Sequence, residues 1–342
     1  MKITAIIPTM NRPKPLGDLL DSILVNTIVP EQTVVVDQSD SKEILDLVTE
    51  MRPAFSALES SLEYYWRDQK SLTAARNFGV SQSRGDLVSF LDDDLILSPR
   101  YFLTIGSIFA ANPHIMGVQG FIANDPKHSR ASNLLRKVFF ADHVGKEFRI
   151  IPSFRAQVMD PAVVKLRKVV QANFLNGVCT YRSSVFQEFS FDEKLTKYSL
   201  GEDRDFSYRV GKRYPGSLAV AADAEVIHVH STEARLGSRD YLFMQAAHSA
   251  YLFSKNIRQT TFHKGIFWWH WFGRLITGIG QALKPAPGSR QSAKDLLDSF
   301  VFMIRHGREF AGGDLSALYA QLGLSGRLSA RGATERREEV SL

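Results

Sequence analysis

Three consecutive carboxylates, Asp92, Asp93 and Asp94, close an apolar run in the sequence FLDDDL. Adjacent like charges at a strand end repel one another, and a hard divalent cation relieves that cost. Mg²⁺ or Mn²⁺ suits such oxygen ligands. These ions are commonly held by one or two carboxylates plus phosphate oxygens, so the triplet points to a diphosphate-bearing substrate bridged through metal. A solvated acidic turn is the plainer alternative.

Three further clusters carry usable chemistry. GEDRDF supplies Glu202, Asp203 and Asp205. A base there, facing a metal-bound diphosphate, can deprotonate an acceptor hydroxyl while the metal takes charge from the leaving group. Helix-start acids beside the macrodipole, with Arg204 and Arg209 as partners, explain the same residues structurally. VIHVHSTEAR places His228 and His230 on one strand face, and either can offer an imidazole to the ion. VVVDQSD ends on Asp37, and PTMNRP contributes Pro8, Thr9, Asn11 and Arg12. Arg12 can bind phosphate and Asp37 can accept from a base or ribose, though each also suits an ordinary surface or turn position.

These residues need a scaffold that brings strand ends together. Lys2 to Ile7 and Thr33 to Asp37 are β-rich runs, and Leu16, Leu19, Leu20, Ile23 and Leu24 between them make the stripe of an amphipathic helix. A strand over 62–66, a helix over 73–83 and a strand over 87–91 continue the alternation. The pattern predicts an α/β fold with a largely parallel sheet. In such sheets ligands bind at the carboxyl ends of the strands, which would gather Pro8, Thr9, Asn11, Arg12, Asp37 and Asp92 at one crevice. The α/β signal resumes at 176–182, 219–222 and 225–230. Neither GxxxxGK[ST] nor GxGxxG occurs, which removes P-loop and dinucleotide-binding readings.

The 342 residues, 44% hydrophobic and 23% charged, can bury a large core and exclude disordered, collagen-like and coiled-coil classes. The formal charge of +6 favours acidic partners. Residues 121–175 alone hold ten Lys/Arg against four Asp/Glu, a surplus equal to that of the whole chain. No nucleic-acid-binding module is recognisable. Cys179 is the single cysteine, so an intrachain disulfide is impossible and a reducing, cytoplasmic setting is expected. The first apolar run stops at Pro8, too soon for a signal peptide or span.

The ordered series AIIPTMNRP, VVVDQSD, LTAARNFGVSQSRGDLVSFLDDD, FLNGVCTYRSSVF, FDEKL, GEDRDFSYRV and IHVHSTEAR resembles the family 2 glycosyltransferases of the GT-A fold over about residues 1–240. The resemblance implies a GT-A type nucleotide-sugar-binding α/β fold, with a mixed, mostly parallel sheet flanked by helices and a helical C-terminal extension. Asp92 and Asp94 match the outer acids of the DxD motif, which bind metal and donor, with Asp93 between them. Asp37 matches the acid that contacts the base, and Arg76 and Asn77 match the RN pair lining the donor pocket. Asp203 matches the catalytic base and Glu202 the acid that orients it or the acceptor. His228 best matches the histidine completing the metal site, with His230 as the alternative.

The implied reaction is inverting transfer of one sugar from a UDP-, dTDP- or GDP-sugar, with Mn²⁺ or Mg²⁺, to a glycan or lipid-linked acceptor. No QxxRW motif follows residue 230, unlike the processive synthases. A sugar-1-phosphate nucleotidyltransferase and a non-catalytic nucleotide-sugar-binding protein are the alternatives. The expected organisation is a catalytic domain over 1–240, divided into a nucleotide-sugar half (1–120), a basic insertion (121–175) and an acceptor half (176–240). A helical region over 241–324 and a disordered tail over 325–342 follow. Within 265–283, Trp268, Trp271, Phe272, Leu275 and Ile279 form one helical stripe and His270, Arg274, Thr277 and Gln281 the other side. That pattern fits a helix in a membrane interface, on the inner face of the cell membrane, or one packed on the catalytic domain or a partner.

Overall fold

The computed structural model describes residues 1–124, 129–229, 237–282 and 289–323. The first half alternates as expected: β1 (Ile3–Thr9), α1 (Pro13–Leu24), β2 (Gln32–Asp37), α2 (Glu43–Ser56), β3 (Ser61–Trp66), α3 (Leu72–Gln82), β4 (Leu87–Phe90), β5 (Leu95–Leu97), α4 (Tyr101–Ala111) and β6 (Gly117–Ile122). There follow α5 (Arg130–Val138), β7 (His143–Gly145), β8 (Arg149–Ile150), β9 (Ala156–Met159), α6 (Pro161–Arg167), β10 (Val169–Ala172) and β11 (Cys179–Arg182). The chain continues through α7 (Glu202–Arg213), β12 (Leu218–His228), α8 (Ser238–Asn256), α9 (Thr261–Ala282), α10 (Ser289–Arg305), α11 (Gly307–Ala311) and α12 (Ser316–Gln321).

The main sheet runs β10-β12-β6-β11-β4-β1-β2-β3, with β5 paired to β12. Strands β4, β1, β2 and β3 are parallel, as are β6 and β12; β11, β10 and β5 run against their neighbours. The fold is therefore mixed and mostly parallel α/β. The alternation of β1 explains its position: Ile3, Ala5 and Ile7 enter the core beneath α1, α2 and α4, while Ile6 enters the core on the opposite face. The α1 stripe of Leu16, Leu19, Leu20 and Ile23 is fully buried.

Two local corrections matter. The run at 219–222 and the part of the second run over 225–228 belong to one strand, β12, whose pairing with β6 shifts between Ala221 and Glu225. Such a bulge bends the strand and re-aims its end. The basic segment 121–175 is not wholly an insertion, because β10 joins the main sheet. What stands outside that sheet is α5, the small β7-β9-β8 sheet and α6. A third core, around Trp271, Phe243 and Phe310, unites α8 to α12. The tail 325–342 and His230 lie outside the described residues.

Candidate active site

The triplet follows β4 at the carboxyl ends of the parallel strands, beside the point where β1 separates β2 from β4. Each acid meets its own basic side chain. Asp92 Oδ1 accepts from Arg76 Nη2 at 3.0 Å, and Asp93 Oδ1 accepts from Arg12 Nη1 at 2.9 Å. Asp94 Oδ1 lies 2.9 Å from His228 Nε2, with Arg12 a further 3.4 Å neighbour. Thr9 donates its hydroxyl to Asp93 Oδ2 at 2.8 Å. The repulsion expected of three adjacent carboxylates is thus relieved by protein side chains, so repulsion alone does not demand a metal. Burial raises Asp93 to about 6, against the opposing pull of Arg12.

The contact between Asp94 and His228 follows from strand pairing. β5 begins one residue after the triplet and runs antiparallel to the end of β12, where His228 faces Leu95 in register. The amide of Val229 donates to Asp94 O at 2.9 Å, fixing the same junction. The carboxylate is a donor suited to Mn²⁺ or Mg²⁺, and the imidazole beside it adds a nitrogen donor. Among the described residues no group of three or more His, Cys, Asp and Glu side chains is gathered to hold an ion. A cation here would draw its remaining ligands from the diphosphate. Asp92, the third expected ligand, turns towards Arg76 and keeps the most open side chain of the triplet, 37% exposed.

Arg76 joins the two halves of the site. It stands on the inner side of α3, which approaches the sheet closely at Gly79: a Cβ there would lie 2.4 Å from Ile6 Cγ2. The almost fully buried guanidinium contacts Glu202 as well as Asp92 and sits over the rings of Phe191 and Phe90 at 5.4 and 5.7 Å. Burial disfavours its charge, but Glu202 and then Asp92 raise its pKa above the usual arginine value. For Glu202, burial and Asp203 push upward and Arg76 pulls down; direct contact with the guanidinium makes the pair an ion pair.

Asp203 lies in the first turn of α7, where the helix dipole favours acids. Its Oδ2 accepts from the amide of Gly177 and its Oδ1 from the amide of Arg204, both at 2.6 Å. Gly177 reaches this position with φ +61°. Glu202 Oε2 accepts from the Asp203 amide at 2.5 Å. The loop leading into α7 holds Lys197 at φ +56°, Ser199 at +45° and Gly201 at +89°. Left-handed non-glycine residues are uncommon and concentrate at functional sites. This loop sets the Tyr198 hydroxyl within 3.5 Å of Arg12 Nη2. Asp205 points the other way, fully buried among Arg209, Lys255 and Asn256, and ties α7 to α8.

The remaining expected residues are close by but differently engaged. Asp37 is completely buried; its oxygens accept from Tyr64 Oη and the Ser39 amide, both at 2.8 Å. Pro8 is buried within β1, and Asn11, at φ +56°, donates its backbone amide to Ser39 Oγ at 2.7 Å. Asn77 holds the loop at Phe191 through its side-chain amide, donating to Phe191 O and Glu193 and accepting from the Phe191 amide. The structure therefore gathers two side-chain sets that meet at the adjacent residues Asp92 and Asp93: Thr9, Asp93, Arg12, Asp94 and His228 in one, and Asp92, Arg76 and Glu202, with Asp203 next to it, in the other. Sequence reasoning missed Tyr64, Tyr198 and Gly177, of which only the glycine in LNGV left a signal.

Residues 4–154 match the family model described as Glycosyl transferase family 2. The chain is 27% identical over 235 residues to the O-antigen chain rhamnosyltransferase RfbN of Salmonella typhimurium, covering 68% of this chain and 67% of that protein. It is 32% identical over 104 residues to glycosyltransferase GlyA of Streptococcus pneumoniae, covering 30% of this chain and 14% of that much longer relative. Among solved structures, S. aureus TarS 1-349 in complex with UDP-GlcNAc aligns at a TM-score of 0.52 and 17% identity, over 94% of this chain and 92% of that one. The mannosyltransferase PcManGT of Pyrobaculum calidifontis, in complex with GDP-Man and Mn²⁺, aligns at 0.53 and 14%, over 95% and 86%. At these identities the structural likeness is one of fold.

Proposed function

Since the chain belongs to glycosyltransferase family 2 and is a transferase, we propose that it moves one sugar from a nucleoside diphosphate sugar to a hydroxyl acceptor with inversion at the anomeric carbon. The observation that carries this reading is the Arg76 bridge between Asp92, at the donor end of the crevice, and Glu202, beside Asp203. Two acidic motifs with different tasks meet at one guanidinium. Held by Asp94 and His228, a divalent cation would supply Lewis-acid stabilisation of the departing diphosphate.

The protein's own groups account for the remaining steps. Asp203, fixed by the amides of Gly177 and Arg204, accepts the proton of the acceptor hydroxyl as its oxygen bonds to the anomeric carbon. The bond from that carbon to the diphosphate oxygen breaks with its electron pair, on the opposite face of the sugar. Glu202 and Arg76 orient Asp203 by holding the start of α7. Arg12, anchored by Asp93, which Thr9 in turn holds, keeps positive charge beside the diphosphate. Asp37, Asn11 and Asn77 shape the donor pocket behind them.

A UDP-, dTDP- or GDP-sugar is the donor class, and a surface glycan or lipid-linked glycan at the cytoplasmic face of the membrane is the acceptor class. The name of the RfbN relative, an O-antigen chain rhamnosyltransferase, supports this choice. This reading takes precedence over sugar-1-phosphate nucleotidyl transfer, whose second product is pyrophosphate. Incubation with nucleotide sugars and Mn²⁺ tests it: release of nucleoside diphosphate with an inverted product anomer is expected. Pyrophosphate release from a nucleoside triphosphate and a sugar 1-phosphate, or a retained anomer, overturns it.

A further inference from the structure

The helix α9 is docked with His270 and Trp271 inward. His270 is buried: Nε2 accepts from Arg155 Nε at 3.1 Å and Nδ1 faces Phe139 O at 3.2 Å. Arg274 stacks over Trp271, which is itself fully buried with Phe267 in the C-terminal core. Trp268, Trp269, Phe272, Ile276 and Ile279 are left between 42% and 61% exposed. With 100° per residue they occupy one continuous arc of the helix. The expectation that Trp271 shares one stripe with Trp268, Phe272 and Ile279 is corrected by this packing, which buries Trp271 beside His270 and leaves the other three exposed.

A second amphipathic helix adjoins this arc. The Trp269 indole donates to Val138 O at 2.9 Å, and Phe139 presses on α9 where a Cβ at Gly273 would fall 2.1 Å from its ring. The α5 helix has no buried residue and exposes Leu134, Leu135 and Val138. Neither helix contains an Asp or Glu, whereas α5 carries Arg130, Arg136 and Lys137, and Lys264 lies exposed at the start of α9. The result is an aromatic and aliphatic face on two helices whose charged side chains are all cationic.

We propose that this α5–α9 face is a docking surface for an anionic phospholipid bilayer, with α9 lying in the headgroup region. The charge on these helices selects the occupant. A second copy of the same face would set cations against cations, whereas anionic headgroups complement them. Tryptophan and phenylalanine are the side chains that partition into the membrane interface. Spanning is ruled out for this helix because its other side is covered by the C-terminal core. No described helix is long and apolar enough to cross a membrane.

The test is flotation of the full chain with phosphatidylcholine vesicles, with and without about one-third phosphatidylglycerol, at low and high salt. Binding to the anionic vesicles only, weakened by salt, is expected. The exposed double variants Phe272→Gln/Ile276→Gln and Lys137→Glu/Lys264→Glu should each lose about tenfold or more of that binding. Hydrolysis of soluble nucleotide sugar by both variants should stay at the parent rate, which separates a failed surface from a failed catalytic reading. Equal binding by parent and variants overturns the proposal. So does a light-scattering dimer of the parent that Phe272→Gln/Ile276→Gln dissolves while no vesicle binding is seen.

Discussion

His228 Nε2 lies 2.9 Å from Asp94 Oδ1, across 134 residues of sequence, because β5 starts beside the acidic triplet and pairs with the end of β12. The pairing delivers an imidazole to the third carboxylate and leaves Asp93 to Arg12 and Asp92 to Arg76. Each acid therefore has a distinct electrostatic setting. The Asp94–His228 contact is the proposed cation site, while the two arginine pairs balance charge.

Removing the imidazole should weaken the cation and little else. In His228→Ala, the Mn²⁺ concentration that gives half-maximal turnover should rise at least about tenfold. The melting temperature without metal should move only slightly, since the side chain is 26% exposed. An unchanged Mn²⁺ requirement would separate His228 from the metal.

Arg76 should matter to stability as well as to activity. Arg76→Leu leaves Glu202 buried without its counter-ion, a loss on the order of 3–5 kcal/mol in urea unfolding. Arg76→Leu combined with Glu202→Gln removes that unpaired charge and should recover part of the loss. A single variant as stable as the parent would show that the bridge does not organise the site.

Two buried histidines predict the direction of acid sensitivity. Burial lowers His248 from 6.5 to about 4, and burial, followed by Arg155, pushes His270 well below its usual value. Both stay neutral in the folded chain while the unfolded chain gains protons. Their contribution is fully present above about pH 6.5 and is lost as pH falls towards 4, for His248 on the order of 3 kcal/mol. Asp93, raised to about 6, acts in the opposite sense, favouring the folded state as pH falls from 6 towards 3.8. The histidines should win, so thermal unfolding should shift downward between pH 7 and 5. His248→Gln should flatten that slope; an unaltered slope would exclude His248 as a source.

How much of this could be read from residues alone depends on the range of each interaction. The alternation in β1, the α1 stripe and the order of strands and helices rest on local periodicity, and they were legible. The acids of FLDDDL and GEDRDF were legible as chemistry, because adjacent carboxylates are costly wherever they occur. Their pairing was not: Arg12 and Asp93 are 81 residues apart, and only the sheet makes them neighbours. The helical wheel of α9 showed two faces without showing which one the core takes. Arg155, Phe139 and the α8–α12 core decide that, by accepting His270 and Trp271. The Lys197–Gly201 loop, with its left-handed residues, had no periodic signature beyond a single glycine.

The most direct test of sugar transfer at this site is the single-turnover rate of Asp203→Asn with the cognate nucleotide sugar, acceptor and Mn²⁺. Asparagine keeps the shape of the side chain and one acceptor oxygen for the amides of Gly177 and Arg204, but it is not a base. A fall of about 10²- to 10⁴-fold in the chemical step, with donor affinity and melting temperature close to those of the parent, is the predicted result. Transfer at the parent rate would contradict it and place the proton acceptor elsewhere.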